Sequence, residues 1–389
     1  MSKSVWLLPD IRYDLPFVGD GNDYKHRIVS GEFERALNVY LPKDLYTPEQ
    51  WRHVERHVAE WRHSTRTRKH PCSFWNDQIT PFKKIPIVWY VHGGAWMIGT
   101  RAGSNLHGIC TSLAEEGYIC VSIGYRKVRA VSTKIQTVLM IAFFLVLLGW
   151  LIEPKKNWGR RVVWTQLAIL LFIVFLAYSF YVAKAEPYRF PTQTTDISRA
   201  IRSTLPWMQA IGGDCENTVL MGHSAGAHLV STLYASPNFW VNTALPRKNV
   251  KCIVLIAGVY SASIMRHKPF EKFLTEEVFG KETNNKKEWD RFFADELLRD
   301  NPDINVPPVF LLSAWFDYGL RVHAERLAER LTDRGVSFRW HTLYDTNHFD
   351  ITCFWQKGGR HERIRNEIAH FLSHSLGYTP SSCQLQLQQ

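Results

Sequence analysis

Residues 218–221 (TVLM) form an apolar run that ends in Gly222-His223-Ser224-Ala225-Gly226 and passes into AHLVSTLYA, which has helical periodicity. A chain that goes from strand to helix through such a pentapeptide must turn sharply, with the serine at the apex. G-x-S-x-G alone is a weak signal in a chain with 23 glycines; its place between a strand and a helix makes it a constraint. The neighbouring segments agree. IPIVWYVH (85–92) reads as a short buried strand, and Tyr118–Tyr125, 251–257, 308–314 and 337–343 read as further strands. Helical stretches are expected over 104–117 and 195–210. Strands alternating with helices predict the α/β class, with a doubly wound, mostly parallel sheet.

A serine becomes a nucleophile only beside a base that takes its proton, and that base needs a carboxylate to orient it. On such a sheet the chain order is Ser, then Asp or Glu, then His. Ser224, Asp317 and His348 satisfy that order. Asp317 and His348 follow predicted strands, so both are expected at the carboxyl edge where such sheets place their sites. Asp345 and Asp350 are rivals for the carboxylate, but they share a loop with His348. His341 falls within a strand and His361 in a terminal helix, which favours structural roles for both. The developing oxyanion needs fixed N–H donors. Ala225 supplies one, and the turn His92-Gly93-Gly94-Ala95 supplies the rest, with Gly94 the best placed and Gly93 or Ala95 beside it.

The chain has 389 residues, enough for one large domain or two ordinary ones, and a net charge of +11. Hydrophobic residues make up 46%, which excludes wholesale disorder. Seven cysteines without a C-x-x-C pair argue against a disulfide framework and a cysteine zinc site. No metal or organic cofactor is implied. The modest mean hydropathy of −0.20 conceals two uncharged runs, 135–152 and 162–183. As helices they would be roughly 27 and 33 Å long, matching a bilayer core of about 30 Å. A transmembrane hairpin is therefore expected within 127–186, with no signal peptide ahead of it.

The positive charge lies in two places. Residues 126–161 carry eight basic side chains against Glu153, and residues 51–70 carry six against two acidic ones. Together they account for the whole net charge. That pattern disfavours nucleic-acid binding and favours anionic headgroups beside a membrane anchor. In the 51–70 segment, Trp51, Val54, Val58 and Trp61 make an apolar stripe. It fits a helix lying on the bilayer or one docked on its own domain, and the spacing does not choose.

HGGAW (92–96), GHSAGAH (222–228), Asp317 and His348 together resemble the HGG-type serine esterases of the α/β-hydrolase superfamily, near the hormone-sensitive-lipase and carboxylesterase branches. The resemblance covers most of the chain outside 43–84 and 127–186. GGAWMIGTRAGSNLHG, LMGHSAGAH and the tail TNHFDITCFWQKGGRHERIRNEI look most like isoprenylcysteine methylesterases. That resemblance implies a membrane-associated enzyme that hydrolyses the methyl ester of a prenylated cysteine. Such esterases carry a Tyr-Arg pair followed closely by a proline-aromatic loop and a helix. Here Tyr125-Arg126 and EPYRFPTQTTDISRAI (186–201) look like the halves of that element, pushed apart by the hairpin.

The expected organisation is a hydrolase domain in two parts, 1–126 (with a basic insert at 43–84) and 187–377, around a hairpin at 127–186. A cap segment is expected at 262–300 and a flexible tail at 378–389. The expected partners are an amphiphilic ester and the bilayer. The catalytic domain is expected on the cytosolic side of the endoplasmic reticulum or another endomembrane, because six basic flanking residues outweigh four in the loop. Two other readings stay open: arylformamidases share HGG-x-W and G-x-S-x-G, and sterol or lipid deacetylases share the chemistry. A catalytically inactive membrane adaptor is a third, disfavoured by the intact Ser, Asp and His.

Overall fold

The computed structural model describes all residues except 1–4, 14–34, 68–83, 129–132, 155–156, 184–187, 267–270, 272–273, 281–285, 354, 356–357 and 379–389. Eight strands form one sheet: β1 (Val5–Arg12), β2 (Ala36–Pro42), β3 (Ile85–Val91), β4 (Ile119–Ile123), β5 (Gly213–His223), β6 (Val250–Ile256), β7 (Val309–Phe316) and β8 (Phe338–Asn347). Their order across the sheet is β1-β2-β4-β3-β5-β6-β7-β8. β1 and β2 pair antiparallel with their neighbours, and the other six strands are parallel. The carboxyl ends of those six strands therefore share one edge.

Central strands covered on both faces need apolar residues at every position, not at alternate ones. β3 (IPIVWYV) and β4 (ICVSI) are buried throughout. Apolar clusters lie on both faces of the sheet. Trp89 and Trp207 fill one and Trp355 fills the other, each almost without exposure. The covering helices include α1 (Pro48–Thr67), α2 (Ser104–Glu115), α5 (Thr192–Ala210), α6 (Ala225–Ala235), α7 (Ala294–Asp300), α8 (Arg321–Asp333) and α9 (Glu362–Leu376).

α1 settles the question left by its stripe. Val54 and Val58 are buried in the main core, and Trp51 stacks on Trp6 of β1 with ring centroids 3.3 Å apart. This helix is docked on its own domain by those three residues. The side chain of Trp61 lies outside the described residues.

Residues 127–186 contain two antiparallel helices, α3 (Thr133–Ile152) and α4 (Trp158–Ala183), which pack on each other. Gly149 admits the Trp164 ring, since a Cβ there would stand 3.0 Å from it. The connecting turn closes with Arg161 donating to the Glu153 carbonyl at 3.0 and 3.2 Å and lying over the Trp150 ring. Among the described residues no helix is long and apolar enough to cross a membrane. The described side chains cover only 140–152 of α3 and 159–175 of α4. The structure therefore does not carry the expected transmembrane spans at 135–152 and 162–183. What it does show is apolar exposure. Ile141, Phe144, Leu145, Leu148 and Leu151 on α3, and Val163, Leu170, Phe172 and Ile173 on α4, are all at least half exposed.

The two ends of this insertion are held together. Arg126 grips Asp196 through Nε (2.9 Å), a terminal guanidinium nitrogen (2.6 Å) and its backbone N–H (2.9 Å). Asp196 is completely buried, and Tyr188 lies beneath the guanidinium. This charge pair ties the segment after β4 to the first turns of α5, on either side of the helical pair.

Candidate active site

β5 ends at His223, and α6 begins one residue after Ser224. The serine sits at φ 54° and ψ −122°, outside the regions an L-residue ordinarily adopts, so its hydroxyl stands clear at the apex. Its flanking glycines are needed for contact rather than freedom. A Cβ on Gly222 would lie 2.5 Å from the Gly226 carbonyl oxygen, and one on Gly226 would collide with the carbonyls of Val91 and His92. The start of α6 is thereby pressed against the end of β3, which puts the two motifs together.

Ser224 Oγ lies 2.8 Å from His348 Nε2, and His348 Nδ1 is hydrogen-bonded to Asp317 Oδ1. All three residues are buried. β7 and β8 explain how residues 31 apart in the chain meet: Phe316 pairs with Asn347 across the ladder, and His348 N–H donates to the Phe316 carbonyl at 3.0 Å. The rivals are elsewhere. Asp345 is exposed and paired with Arg360, while Asp350 accepts from Asn347. His341 faces Glu367 on α9, and His361 lies by Thr346.

Opposite the serine, Gly93 packs so closely on the elbow that a Cβ would lie 2.9 Å from the Ser224 Cβ. Gly94 adopts φ 122°, and its carbonyl accepts from Met97 and Ile98, which pins the turn. Ala95 and Trp96 take left-handed φ values of 49° and 60°, the kind of strain a surrounding fold must over-determine. Gly93, Gly94, Ala95 and Ala225 all line one cavity with Ser224 and His348. The cavity holds about 780 Å³, and Ile98, Val259, Met265, Leu274, Leu320 and Phe349 make its wall largely apolar. Met265 and Leu274 come from the 262–300 segment.

Three histidines around this site had no assigned role from the sequence. His223 Nε2–H donates to the His348 carbonyl at 3.0 Å, behind the imidazole. His92 Nδ1–H donates to the Gly93 carbonyl at 2.8 Å and stacks on Tyr125. His228 accepts from the Trp96 indole N–H at 3.2 Å and donates to the Phe292 carbonyl at 2.8 Å. The last Trp of HGGAW thus meets the last His of GHSAGAH, a pairing no linear motif displays. Burial pushes His92 and His228 down to about 4 and His223 down to about 3, so all three are neutral donors or acceptors near pH 7. Among the described residues no cluster of three or more His, Cys, Asp or Glu is arranged to hold a metal.

A buried serine hydrogen-bonded to an imidazole, which is in turn held by a carboxylate, is arranged to attack a carbonyl carbon, with backbone N–H groups across the cavity for the oxyanion. Residues 165–351 match a family model described as "alpha/beta hydrolase fold", and residues 79–138 match a second, BD-FAE. The probable carboxylic ester hydrolase LipM of Mycobacterium tuberculosis is 24% identical over 153 residues, 39% of this chain and 22% of LipM. The esterase LipC of the same organism is 38% identical over 52 residues, 13% of each chain. The chain thus spans about a fifth or less of the curated relatives it matches. Esterase B from Lactobacillus rhamnosus superposes with a TM-score of 0.56 at 15% identity, covering 99% of this chain and 89% of that one. A truncated carbohydrate esterase from gut microbiota gives a TM-score of 0.54 at 12% identity, over 96% and 97% of the two chains. By its sheet order, its nucleophile turn and its match over residues 165–351, this chain has the α/β-hydrolase fold.

Proposed function

We propose that the protein is a membrane-anchored serine carboxylic-ester hydrolase acting on an apolar or lipid-linked ester. The observation that carries this reading is the hydrogen-bonded line Ser224–His348–Asp317, which opens beside the Gly94 turn into an apolar cavity. Ser224 Oγ attacks the ester carbonyl while His348 Nε2 takes its proton. Asp317 holds the imidazolium through Nδ1–H. The tetrahedral oxyanion is stabilised by N–H groups from Gly94, Ala225 and either Gly93 or Ala95. Collapse breaks the ester C–O bond, and His348 returns the proton to the leaving alcohol. Water, deprotonated by the same histidine, then releases the acid and restores Ser224.

Anchoring is supported by the apolar helical pair α3–α4, whose exposed face is far more apolar than a water-facing surface tolerates. The uncharged runs 135–152 and 162–183 would span, leaving the hydrolase on the cytosolic side of the endoplasmic reticulum or a related membrane. Prenylcysteine methyl ester is the substrate that the motif resemblance and the size of the cavity favour. Ser224→Ala should abolish both hydrolysis and labelling by a fluorophosphonate probe, and persistent labelling would show the nucleophile to be another residue. Comparing kcat/KM on prenylcysteine methyl ester, a sterol acetate and N-formylkynurenine separates the ester reading from deacetylase and arylformamidase activity. A failure to turn over any of them would favour the inactive adaptor.

A further inference from the structure

We infer that an aromatic collar at the carboxyl ends of β7 and β8 seats the mouth of the cavity on a phospholipid bilayer surface. This rests on the hydrolase and anchoring readings above and names the surface through which substrate enters.

Among the described residues outside the helical pair, the large apolar side chains that stand exposed are Ile98, Val241, Trp315, Phe316, Tyr318, Tyr344 and Phe349. Ile98, Tyr318 and Phe349 line the active-site cavity, while Trp315, Phe316 and Tyr344 lie near the ends of the two strands that lead into Asp317 and His348. Exposed apolar residues scattered one by one need no explanation, but aromatic residues concentrated beside one pocket do. Ile98, Tyr318 and Phe349 form the lip of the cavity itself. Phe349 and Tyr318 pack edge-on against the His348 imidazole, at 5.4 and 5.9 Å between ring centroids. Trp315, Phe316 and Tyr344 carry the apolar surface outward, with Trp315 and Tyr344 in contact at 5.1 Å.

β7 makes the anomaly plain. Its first six residues are buried and its last two, Trp315 and Phe316, are 50% and 65% exposed, so the strand stays apolar after leaving the core. Tyr344, at the matching end of the edge strand β8, is 69% exposed.

The residue types identify the occupant. Tryptophan and tyrosine pair an apolar body with a polar tip and concentrate at the headgroup boundary of bilayers. Arg321 lies over the Trp315 ring at 5.8 Å, where its guanidinium can reach a lipid phosphate while its stem covers the ring. The second argument is continuity. The chain enters the apolar helical pair just after the carboxyl end of β4, and six parallel strands put that end on the same edge as the collar. Bilayer, collar and cavity mouth then share one side of the molecule, and an ester moves from the lipid to Ser224 without crossing water.

The test uses the full chain in phosphatidylcholine–phosphatidylserine vesicles and the double variant Trp315→Ser/Tyr344→Ser, neither residue lining the cavity. Flotation with vesicles and turnover of water-soluble p-nitrophenyl acetate should match the parent. Hydrolysis of a long-chain ester embedded in the vesicles should fall roughly tenfold, as a higher apparent KM in surface ester concentration at unchanged kcat. Unchanged vesicle hydrolysis, or an equal fall on both substrates, overturns the collar as a lipid contact. So does a change in particle mass with vesicle hydrolysis intact, which would make it a contact between two copies along β8. A parent that does not float with vesicles refutes the anchoring reading instead, and a parent inert on both esters refutes the hydrolase reading.

Discussion

Replacing Asp196 by asparagine probes the ion pair that joins Arg126, just after β4, to α5 on the far side of the helical pair. Asp196 is fully buried and accepts three hydrogen bonds shorter than 3.0 Å from Arg126, one of them from the backbone. Asparagine keeps one acceptor but turns an NH₂ toward the guanidinium and leaves that charge without its counterion. Removing one partner of a buried pair costs about 3–5 kcal/mol. Arg126 retains 17% side-chain exposure and its contact with Tyr188, so water can reach part of the stranded charge and the lower end applies. With an unfolding entropy of about 2.1 cal/mol/K per residue and a folded unit of roughly 300 residues, a loss of about 3 kcal/mol lowers Tm by about 5 °C. Thermal unfolding followed by tryptophan fluorescence reads this directly. A midpoint unchanged from the parent would refute the reasoning, because it would mean the sheet closes over the insertion without the ion pair.

Three further outcomes follow from the site's geometry. His92, His223 and His228 are neutral when folded, with values held near 3–4, whereas the unfolded chain takes up protons below about pH 6.5. Their contribution is complete above that pH and is lost as pH falls toward 4, at about 1.4 kcal/mol per pH unit for each histidine. Urea midpoints should therefore drop steeply over that window, and a flat profile would contradict the buried neutral assignment. Gly226→Ala drives a Cβ into the Val91 and His92 carbonyls, an overpacking cost of about 1–3 kcal/mol or more. It should displace the elbow, and fluorophosphonate labelling of Ser224 should slow even in protein that remains folded. Trp96→Phe leaves His228 Nδ1 buried without its donor, a penalty of about 1–3 kcal/mol. With the strained turn less firmly held, kcat should fall more than KM rises, and a pure KM effect would argue against a role in holding the oxyanion donors.

The strands legible in the sequence were β3 to β8; β3, β4 and β6 are apolar nearly throughout because parallel strands covered on both faces need no alternation, whereas the edge strand β8 is only partly buried. β1 and β2 were not legible. β1 contains Pro9 and Asp10, which read as breakers, yet an edge strand tolerates them: the register shifts between Leu8 and Ile11, and Asp10 takes a left-handed φ of 59°. The stripe in α1 was legible as amphipathic, but its partner was not. Only the fold brings Trp6 under Trp51, and nothing local distinguishes a core from a membrane as the apolar neighbour.

What the sequence by itself determined is the order of the chemistry along the chain: a glycine turn after one strand, a serine between strand and helix, then an aspartate and a histidine after later strands. Local rules suffice there, since backbone turns and strand patterns depend on near neighbours. Only the tertiary structure decided which aspartate reaches His348, because that depends on how β7 and β8 pair and not on distance along the chain. It also decided that Trp96 meets His228, that Arg126 closes on Asp196 across 70 residues, and that Tyr318 and Phe349 stand together beside His348 at the cavity. Those are contacts between segments far apart in sequence, and the cooperative packing of the sheet creates them.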